Sequence, residues 1–235
     1  MIGVLSDFSR RLPGMTRPAR YDATDLDRTV VHLLRHGEVY NPERILYGRL
    51  PDYHLSDRGR RMADFAAGRL ADRDIALLVS SPLERALETA APLATATGLT
   101  PLVDARVIEA GNHFEGERSE PRSLLQPRHW WLLRNPAEPS WGEPYAHIAA
   151  RMQEAVFAAR DHVRGREAVI VTHQLPIWVM RLKVEGRPFI HDPRRRQCNL
   201  ASVTSLTYLG DRLASVTYAE PAAQLYSHAD TVAGA

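Results

Sequence analysis

The sequence VVHLLRHGE, residues 30–38, joins a short apolar run to a group of polar side chains. The run VVHLL is β-branched and apolar and has the length of a strand, so we predict a buried strand over residues 30–34. The RHGE segment follows at the end of that strand. Ligands of open α/β sheets bind outside the carboxyl ends of the strands, so this segment is the first candidate for a functional site.

Further apolar runs and helical patterns alternate along the rest of the chain. Additional strands are predicted at IALLV (75–79), AVIVT (168–172) and SVTSLTYL (202–209). Helices are predicted over 57–71 (N-cap Ser56), over 82–97 (N-cap Ser81, with Pro82 at the first helical position), and over 141–164 (capping box Ser140 and Glu143). This alternation favours a single α/β domain with a mainly parallel sheet flanked by helices on both faces.

Changes in composition and apolar periodicity along the chain also predict where the domain begins and ends. Residues 1–28 have mixed charges and no apolar period, and are expected to form a poorly ordered leader. The catalytic domain is predicted over 29–220, followed by a tail over 221–235. Within the domain, residues 111–142 are rich in Gly, Pro, Trp and Arg and read as an insertion over the rim of the sheet.

Composition excludes several classes of protein. With 44% hydrophobic and 25% charged residues the chain is not wholly disordered, and its single cysteine, Cys198, excludes an internal disulfide framework and a cysteine-based zinc cluster. No apolar window is long enough to span a bilayer, and a cytoplasmic location is predicted. The net charge of +2 implies neither a nucleic-acid nor a membrane partner. Only one of the 30 basic residues is lysine, and although arginine suits phosphate recognition, a GC-rich genome is the favoured explanation of the excess.

Polar side chains are expected to converge at the carboxyl edge of the sheet. Arg35 and His36 follow the first predicted strand, Arg85 comes soon after the second, Glu109 lies at a third strand end and His173 follows AVIVT. A neutral imidazole can attack a phosphate monoester, and two guanidinium groups can bind its oxygens. A carboxylic acid can protonate the leaving alkoxide. The set therefore predicts phosphoryl transfer and requires no metal or cofactor.

Three sequence features carry a family resemblance: RHG at 35–37, SSPLERALETA from residue 80, and a late histidine at a strand end. Together with the isolated Glu109, they resemble the histidine phosphatase superfamily, in its phosphoglycerate-mutase-like branch. The resemblance covers about residues 30–218. It implies that His36 is the phosphorylated nucleophile, that Glu109 is the proton donor, and that Arg35, Arg85 and His173 form the phosphate pocket.

The sequence departs from the family pattern at three points. Asn41 comes five residues after the nucleophile, where the family usually has an asparagine six residues after it. The segment EAGNHFEG (109–116) is one residue shorter than usual and contains His113, and Gln174 takes the place of the usual glycine. With Gly37, both Asn41 and Gln174 are candidate phosphate-binding residues. The departures bear on the substrate more than on the reaction.

Structural interpretations stand beside the functional ones. His36 could be a structural histidine, Arg35 and Arg85 could form surface ion pairs, and Asn41 could cap a turn before Pro42. Glu38, Glu115 and Glu117 compete with Glu109 as the acid. His113 and Arg118 are interpreted mainly as solvated loop residues, and the tryptophans at 130, 131 and 141 as residues that bury the insertion. Cys198 is expected to be an inert thiol. Arg194–Arg196 are interpreted as a solvated loop that could alternatively contact an anionic substrate.

The function predicted is metal-independent hydrolysis of a small phosphorylated metabolite through a phosphohistidine, by a monomer or homodimer. The alternatives are a phosphoglycerate mutase and a catalytically silent module that binds phosphorylated ligands. A compact segment between Asn41 and Leu55 and a tail without an evident lid favour hydrolysis over mutase activity. The motifs of P-loop NTPases, HExxH metalloproteases, GxSxG hydrolases and Rossmann proteins are absent.

Overall fold

A computed structural model describes residues 28–118 and 142–226. Within them a six-stranded sheet has the order β3-β2-β4-β1-β5-β6. Strands β1 to β4 are mutually parallel where they pair, and β5 is antiparallel to β1 and to β6. The strands are β1 Arg28–Arg35, β2 Ile75–Ser80, β3 Leu102–Val103, β4 Glu167–Thr172, β5 Val203–Leu209 and β6 Arg212–Ala219.

Four α-helices cover the two faces of this sheet. They are α1 Asp57–Leu70, α2 Glu84–Thr97, α3 Tyr145–His162 and α4 Gln174–Val184. Helices α1 and α2 pack on one face, where Met62 and Leu93 contact the same buried cluster as Val169 of β4. Helices α3 and α4 cover the other face, where Met152 and Ile177 share a cluster with other strand residues. The predicted α/β architecture, mainly parallel and covered on both faces, is confirmed.

The burial of β1 and β4 explains why they occupy the centre of the sheet. All six residues of β4 are buried, and in β1 every residue after Arg28 is buried. Successive side chains alternate between the two clusters, with Ile170 on one face and Val169 on the other. Continuous apolar runs of this kind are typical of parallel strands that have both faces covered.

Several predicted boundaries differ from the structure. Helix α2 begins at Glu84 after Leu83, so Ser81 is not its N-cap, and the hydroxyl of Ser81 contacts His173 instead. Helix α3 begins at Tyr145, and the Glu143 carboxylate accepts from arginines instead of capping the helix. Ser56, by contrast, caps α1 as predicted, by accepting from the N–H of Gly59.

Helix α4 and strand β6 were not among the predicted elements. Helix α4 starts directly after the late histidine and has a proline in its first turn, at Pro176. Strand β6 forms a hairpin with β5 through Gly210 and Asp211, and Gly210 has a φ of 58°. A Gly-Asp pair between two runs of strand character is the signal that could have identified this hairpin. The predicted leader (1–28, apart from Arg28), most of the insertion, its tryptophans, Ser140 and the end of the tail lie outside the described residues.

The loop after β1 fits against the start of α1 only because two glycines meet there. A Cβ on Gly37 would lie 2.5 Å from the carbonyl oxygen of Gly59, and a Cβ on Gly59 would overlap the carbonyl oxygen of Glu38. These neighbours are backbone atoms, which cannot move aside as a flexible side chain could. The contact fixes the position of the segment that contains His36.

We predict that Gly59→Ala lowers the free energy of unfolding by about 3 kcal/mol, because the added methyl group forces the two backbone segments apart. Chemical denaturation of wild type and variant measures the difference. The matched control is Gly68→Ala in the same helix, where nothing lies within 4 Å of the added Cβ. That variant should gain about 0.5–1 kcal/mol from the higher helix propensity of alanine. Equal effects of the two substitutions would contradict the role given to Gly59.

Candidate active site

His36 lies at the carboxyl end of β1 and is 2% exposed. Its Nδ1 lies 2.8 Å from the carbonyl oxygen of Gly37. Since a carbonyl oxygen can only accept, Nδ1 carries the proton and donates, which leaves the lone pair on Nε2. The backbone thus selects the tautomer in which Nε2 can act as a nucleophile.

His173 follows β4 at the same edge of the sheet and is fully buried. Its ring centroid is 5.1 Å from that of His36. The hydroxyl of Ser81 lies 2.7 Å from His173 Nε2, and it accepts the Leu83 N–H at 3.4 Å. The Ser81 hydroxyl can donate its proton to Nε2, and in that tautomer Nδ1 carries the ring proton. This Nδ1 has no hydrogen-bond partner within the described residues, and it is a donor suited to an anionic ligand.

Two buried arginines complete the base of the site. Arg85, in the first turn of α2, has no exposed surface and donates from Nη2 to the Gly48 carbonyl at 2.5 Å. Its guanidinium lies 4.8 Å from the ring centroid of Tyr47. In the described parts of the chain, its Nε and Nη1 are buried without a hydrogen-bond partner. Arg35 donates to the Cys198 carbonyl at 2.8 Å. Both arginines are buried, so neither forms the surface ion pair that was considered as the structural alternative.

The electrostatics keep both imidazoles neutral. Burial lowers the pKa of His36 well below 6.5, and the nearby charges of Arg85 and Arg35 lower it further. The pKa of His173 is also lowered well below 6.5, first by burial and then by His36 and Arg85. The cluster therefore combines fixed guanidinium charge with uncharged, nucleophilic imidazole nitrogen.

Glu109 reaches this site from a loop and not from a strand end as predicted. Strand β3 stops at Val103, and a 3₁₀ turn over Ala105–Val107 precedes the glutamate. One Glu109 carboxylate oxygen accepts the Ala110 N–H at 2.8 Å. Burial raises the pKa of Glu109 above its usual value of 4.5, so a larger fraction of the side chain holds its proton than in water, as a general acid requires.

Arginines that were not predicted hold this loop in place. Arg151 of α3 donates to the carbonyl oxygens of Arg106 and Ile108 at 2.6 and 2.7 Å, and Arg49 donates to that of Glu109 at 2.6 Å. The two guanidinium groups are joined by the carboxylate of Glu143. The bonds to the loop carbonyls join residues 43 to 60 positions apart, and Arg49 is 94 positions from Glu143, which is why local patterns do not reveal them.

A cavity of about 210 Å³ opens over the site. Its lining includes four of the predicted residues, Arg35, His36, Glu109 and Gln174. The same lining contains residues that were not among the predicted site residues, notably Tyr47, Glu143, Tyr145 and Arg196. For Arg196, its place in an arginine run was the only signal in the sequence.

Two predicted phosphate-binding residues have other contacts. The N–H of Gly37 donates to Thr89 Oγ1 at 3.0 Å, and the residue packs against Gly59. The Asn41 side chain exchanges two hydrogen bonds with the backbone of Ile45, at 2.8 and 3.0 Å. This is the turn-capping interpretation of Asn41, and neither residue belongs to the cavity lining.

The other polar candidates are also placed. His113 and Arg118 are exposed, and His113 lines a separate hollow. Cys198 is buried, which raises the pKa of its thiol to about 11, as expected of an inert cysteine. Glu38 accepts from Ser56 and Arg58 at the start of α1, so it serves the helix end instead of the cavity.

Fold and site together define an α/β protein with a cavity that is lined by arginine side chains and by the buried imidazole of His36. A family model of the histidine phosphatase superfamily (branch 1) matches residues 31–221, and the chain belongs to this superfamily. The resemblance predicted from the motifs is thereby confirmed, and the fold is the phosphoglycerate mutase-like one.

Three comparisons illustrate the range of relatives. The uncharacterized protein Rv0525 of Mycobacterium tuberculosis is 55% identical over 199 residues, which cover 84% of this chain and 98% of that protein. The probable phosphoglycerate mutase GpmB of Yersinia pestis is 30% identical over 182 residues, covering 74% and 83%. The solved structure of mycobacterial glucosyl-3-phosphoglycerate phosphatase Rv2419c has a TM-score of 0.65 and 29% identity, covering 77% and 90%.

The described residues contain neither a candidate membrane-spanning helix nor a candidate metal-binding group. No helix in them is long and apolar enough to cross a membrane. Nor do residues 28–118 and 142–226 contain a group of three or more His, Cys, Asp or Glu side chains placed to hold a metal ion.

The buried imidazoles predict an acid-sensitive fold. Below pH 6.5 the unfolded chain binds protons at His36 and His173 that the folded protein does not, so stability falls as the pH falls. Each histidine contributes up to about 1.4 kcal/mol per pH unit to this slope. Denaturant titrations between pH 5 and 8 should show a shallower slope in the double variant His36→Asn/His173→Gln. The exposed His113→Gln control should keep the steep slope, and an unchanged slope in the double variant would contradict the prediction.

Proposed function

We propose that the protein is a metal-independent phosphomonoester hydrolase that acts on a small phosphorylated metabolite through a phosphohistidine at His36. The observation that carries this proposal is the Nε2 lone pair of His36, fixed by the Gly37 carbonyl beside buried guanidinium groups. An anionic phosphoryl group is attracted by those charges, while the neutral imidazole does not repel it.

In the first step, His36 Nε2 forms a bond to phosphorus as the ester P–O bond breaks. Arg35, Arg85 and the Nδ1–H of His173 bind the phosphoryl oxygens, where charge is spread in the transition state. Glu109 gives its proton to the leaving oxygen, which departs as an alcohol. The raised pKa of this carboxyl supports its role.

In the second step, water replaces the alcohol and attacks the phosphohistidine. The Glu109 carboxylate takes a proton from this water as the new P–O bond forms and the P–N bond breaks. Inorganic phosphate leaves, and both His36 and Glu109 return to their starting protonation states. The cycle balances without a metal or a redox cofactor.

The relatives support two versions of this chemistry. One similar solved structure is a phosphatase, and one curated relative is named a probable phosphoglycerate mutase. In a mutase the phosphohistidine transfers its group back to the bound substrate before water reaches it. A silent binding module is the third alternative, and the retention of nucleophile, acid and both arginines argues against it. In this proposal the catalytic domain comprises residues 29–220, with 111–142 contributing to the rim.

We expect His36→Ala to abolish turnover of an aryl phosphate in buffer containing a chelator, because no other described nucleophile lies at that strand end. Rapid base-quenched mixing with radiolabelled substrate should trap an acid-labile, base-stable phosphoryl group on wild type and none on the variant. The control is His113→Ala, which removes an exposed histidine and should leave turnover unchanged. Wild-type activity that disappears with the chelator and returns with a divalent ion would contradict the metal-independent mechanism.

We expect Glu109→Gln to slow hydrolysis of alkyl phosphates far more than that of aryl phosphates, since a good leaving group needs little protonation. A loss of about 100- to 10,000-fold for the alkyl substrate is the range for a general acid. The measurement is kcat/KM for a series of leaving groups of increasing pKa. Glu115→Gln, outside the cavity lining, is the matched control. Equal losses across the series would assign the acid elsewhere.

The mutase version is distinguished by assaying the interconversion of 3- and 2-phosphoglycerate, with and without the bisphosphate primer, beside phosphate release. Mutase turnover that exceeds the hydrolysis of every monoester tested would replace the hydrolase proposal. Hydrolysis that exceeds mutase turnover supports it.

A further inference from the structure

Arg196 is an arginine of the active-site cavity that the proposed reaction does not use. It lines the same cavity as His36 and Glu109 and is only partly exposed. Within the described residues, no carboxylate lies within ion-pair distance of its guanidinium, whereas Arg194 in the same loop pairs with Asp192 at 3.0 Å. A cation that is partly removed from water without a partner carries a desolvation cost.

The guanidinium of Arg196 is held by two neutral acceptors. Its Nε donates to His191 Nε2 at 2.9 Å, and its Nη1 donates to Gln174 Oε1 at 3.3 Å. Its Nη2 donates no hydrogen bond to any described residue. The guanidinium group is therefore oriented by the acceptors at Nε and Nη1, and its Nη2 can still donate to a ligand.

The tautomer of His191 is set by the same logic as that of His36. Its Nδ1 lies 2.6 Å from the Phe189 carbonyl and must donate to it. Its Nε2 must then accept, because an arginine nitrogen can only donate. Burial lowers the pKa of His191, in keeping with the neutral ring. Ring contacts with Tyr145 and Trp178, at centroid distances of 5.7 and 5.9 Å, hold the imidazole in place.

Among the described residues that line the cavity, Arg196 is a cation that neither an ion pair nor the proposed phosphoryl contacts use. Glu143 is engaged by Arg49 and Arg151, and Glu109 has its pKa raised by burial. In the proposed reaction, Arg35 and Arg85 bind the phosphoryl group. Arg196 lies within electrostatic range of Glu109, the group that protonates the leaving oxygen. It is thus placed to face the leaving group of the substrate.

We propose that Arg196 is a specificity-determining residue that binds a second anionic group on the leaving-group side of the substrate, with His191 as its positioning residue. The substrate class is then a phosphomonoester whose alcohol part carries a carboxylate or a second phosphate. The inference rests on the proposed hydrolase function and adds the chemical class of substrate to it. An oriented guanidinium with free donors is suited to bind either anion.

The test uses pairs of substrates that differ in one group. 3-Phosphoglycerate and glycerol 3-phosphate differ by a carboxylate in place of a hydroxymethyl group, and fructose 1,6-bisphosphate and fructose 6-phosphate differ by a second phosphate. The quantity measured is the ratio of kcat/KM within each pair. The full-length variants are Arg196→Gln and His191→Phe, which keeps an aromatic ring but removes the acceptor. Arg195→Gln, which removes the same charge from an exposed neighbour, is the control.

Wild type should prefer the anionic member of at least one pair, and the pair that shows the preference identifies the anion. Arg196→Gln should lower that ratio by about 10- to 100-fold, the range for one charge-assisted hydrogen bond. The loss should appear mainly in KM, because the second anion binds alike in the ground and transition states. His191→Phe should lower the ratio in the same direction by a smaller factor, and Arg195→Gln should not change it.

Other outcomes overturn the inference in distinguishable ways. A wild-type ratio near one in both pairs, or equal losses for both members of a pair in Arg196→Gln, would show that Arg196 does not bind a second anion. If Arg196→Gln does not fold, His191→Phe decides, because it retains the arginine and removes only the group that orients it. If folded wild type hydrolyses none of the four substrates or an aryl phosphate, the proposed function itself fails, and the inference fails with it.

Discussion

Arg85 has no exposed surface, and one of its three guanidinium nitrogens donates to a protein oxygen within the described chain. Removing a cation from water this completely costs several kcal/mol unless an anion compensates. No carboxylate is placed against it in an ion pair among the described residues, so its positive charge is not compensated there. Much of the surrounding structure can be understood as making this arrangement possible.

Thr89 is the link between the buried cation and the nucleophile. Its hydroxyl donates to the Arg85 carbonyl at 2.6 Å, one turn earlier in α2, and accepts the Gly37 N–H at 3.0 Å. The first turn of α2 and the loop after β1 are therefore joined through a single side chain. Because the Gly37 loop is also packed against Gly59, His36 and Arg85 have little freedom to move apart. Burial first, and then the same positive charge, lower the pKa values of both imidazoles, so that this packing affects geometry and protonation together.

The parts of the fold that could be predicted from sequence are those set by local periodicity. Continuous apolar runs located the two central strands, and the Ser56 cap located α1. Strand β6 has an exposed, irregular burial pattern because it forms one edge of the sheet, so its period-2 signal is weak. The start of α2 differs because Ser81 has a partner 92 residues away, and a tertiary hydrogen bond outweighs a local capping preference.

The candidate site also has a part that could be predicted from sequence and a part that depends on long-range contacts. Arg35, His36 and His173 follow directly from strand ends, and Arg85 from the first turn of a helix, so the topology of the sheet was enough to bring them together. Glu109 was predicted at a strand end, but it lies on a loop whose path depends on Arg151 and Arg49. Asn41 was a candidate both for the phosphate pocket and for a turn cap, and its side chain bonds the backbone of its own turn, because an asparagine side chain bonds local backbone as readily as a ligand.

In the proposed reaction, the phosphoryl end and the leaving-group end of the cavity are consequently built from different parts of the sequence. The phosphoryl end is built on strand ends and a helix start, whose positions follow from the packing of the core, and it can therefore be similar across a whole superfamily. The leaving-group end is built from loops, in which Arg196 depends on His191 and Gln174, and His191 in turn on Tyr145 from a different helix. Such a chain of contacts can change through any one member without disturbing the nucleophile. Under the proposed function, motifs shared with relatives therefore predict the reaction, while the long-range contacts of Arg196 would select the substrate.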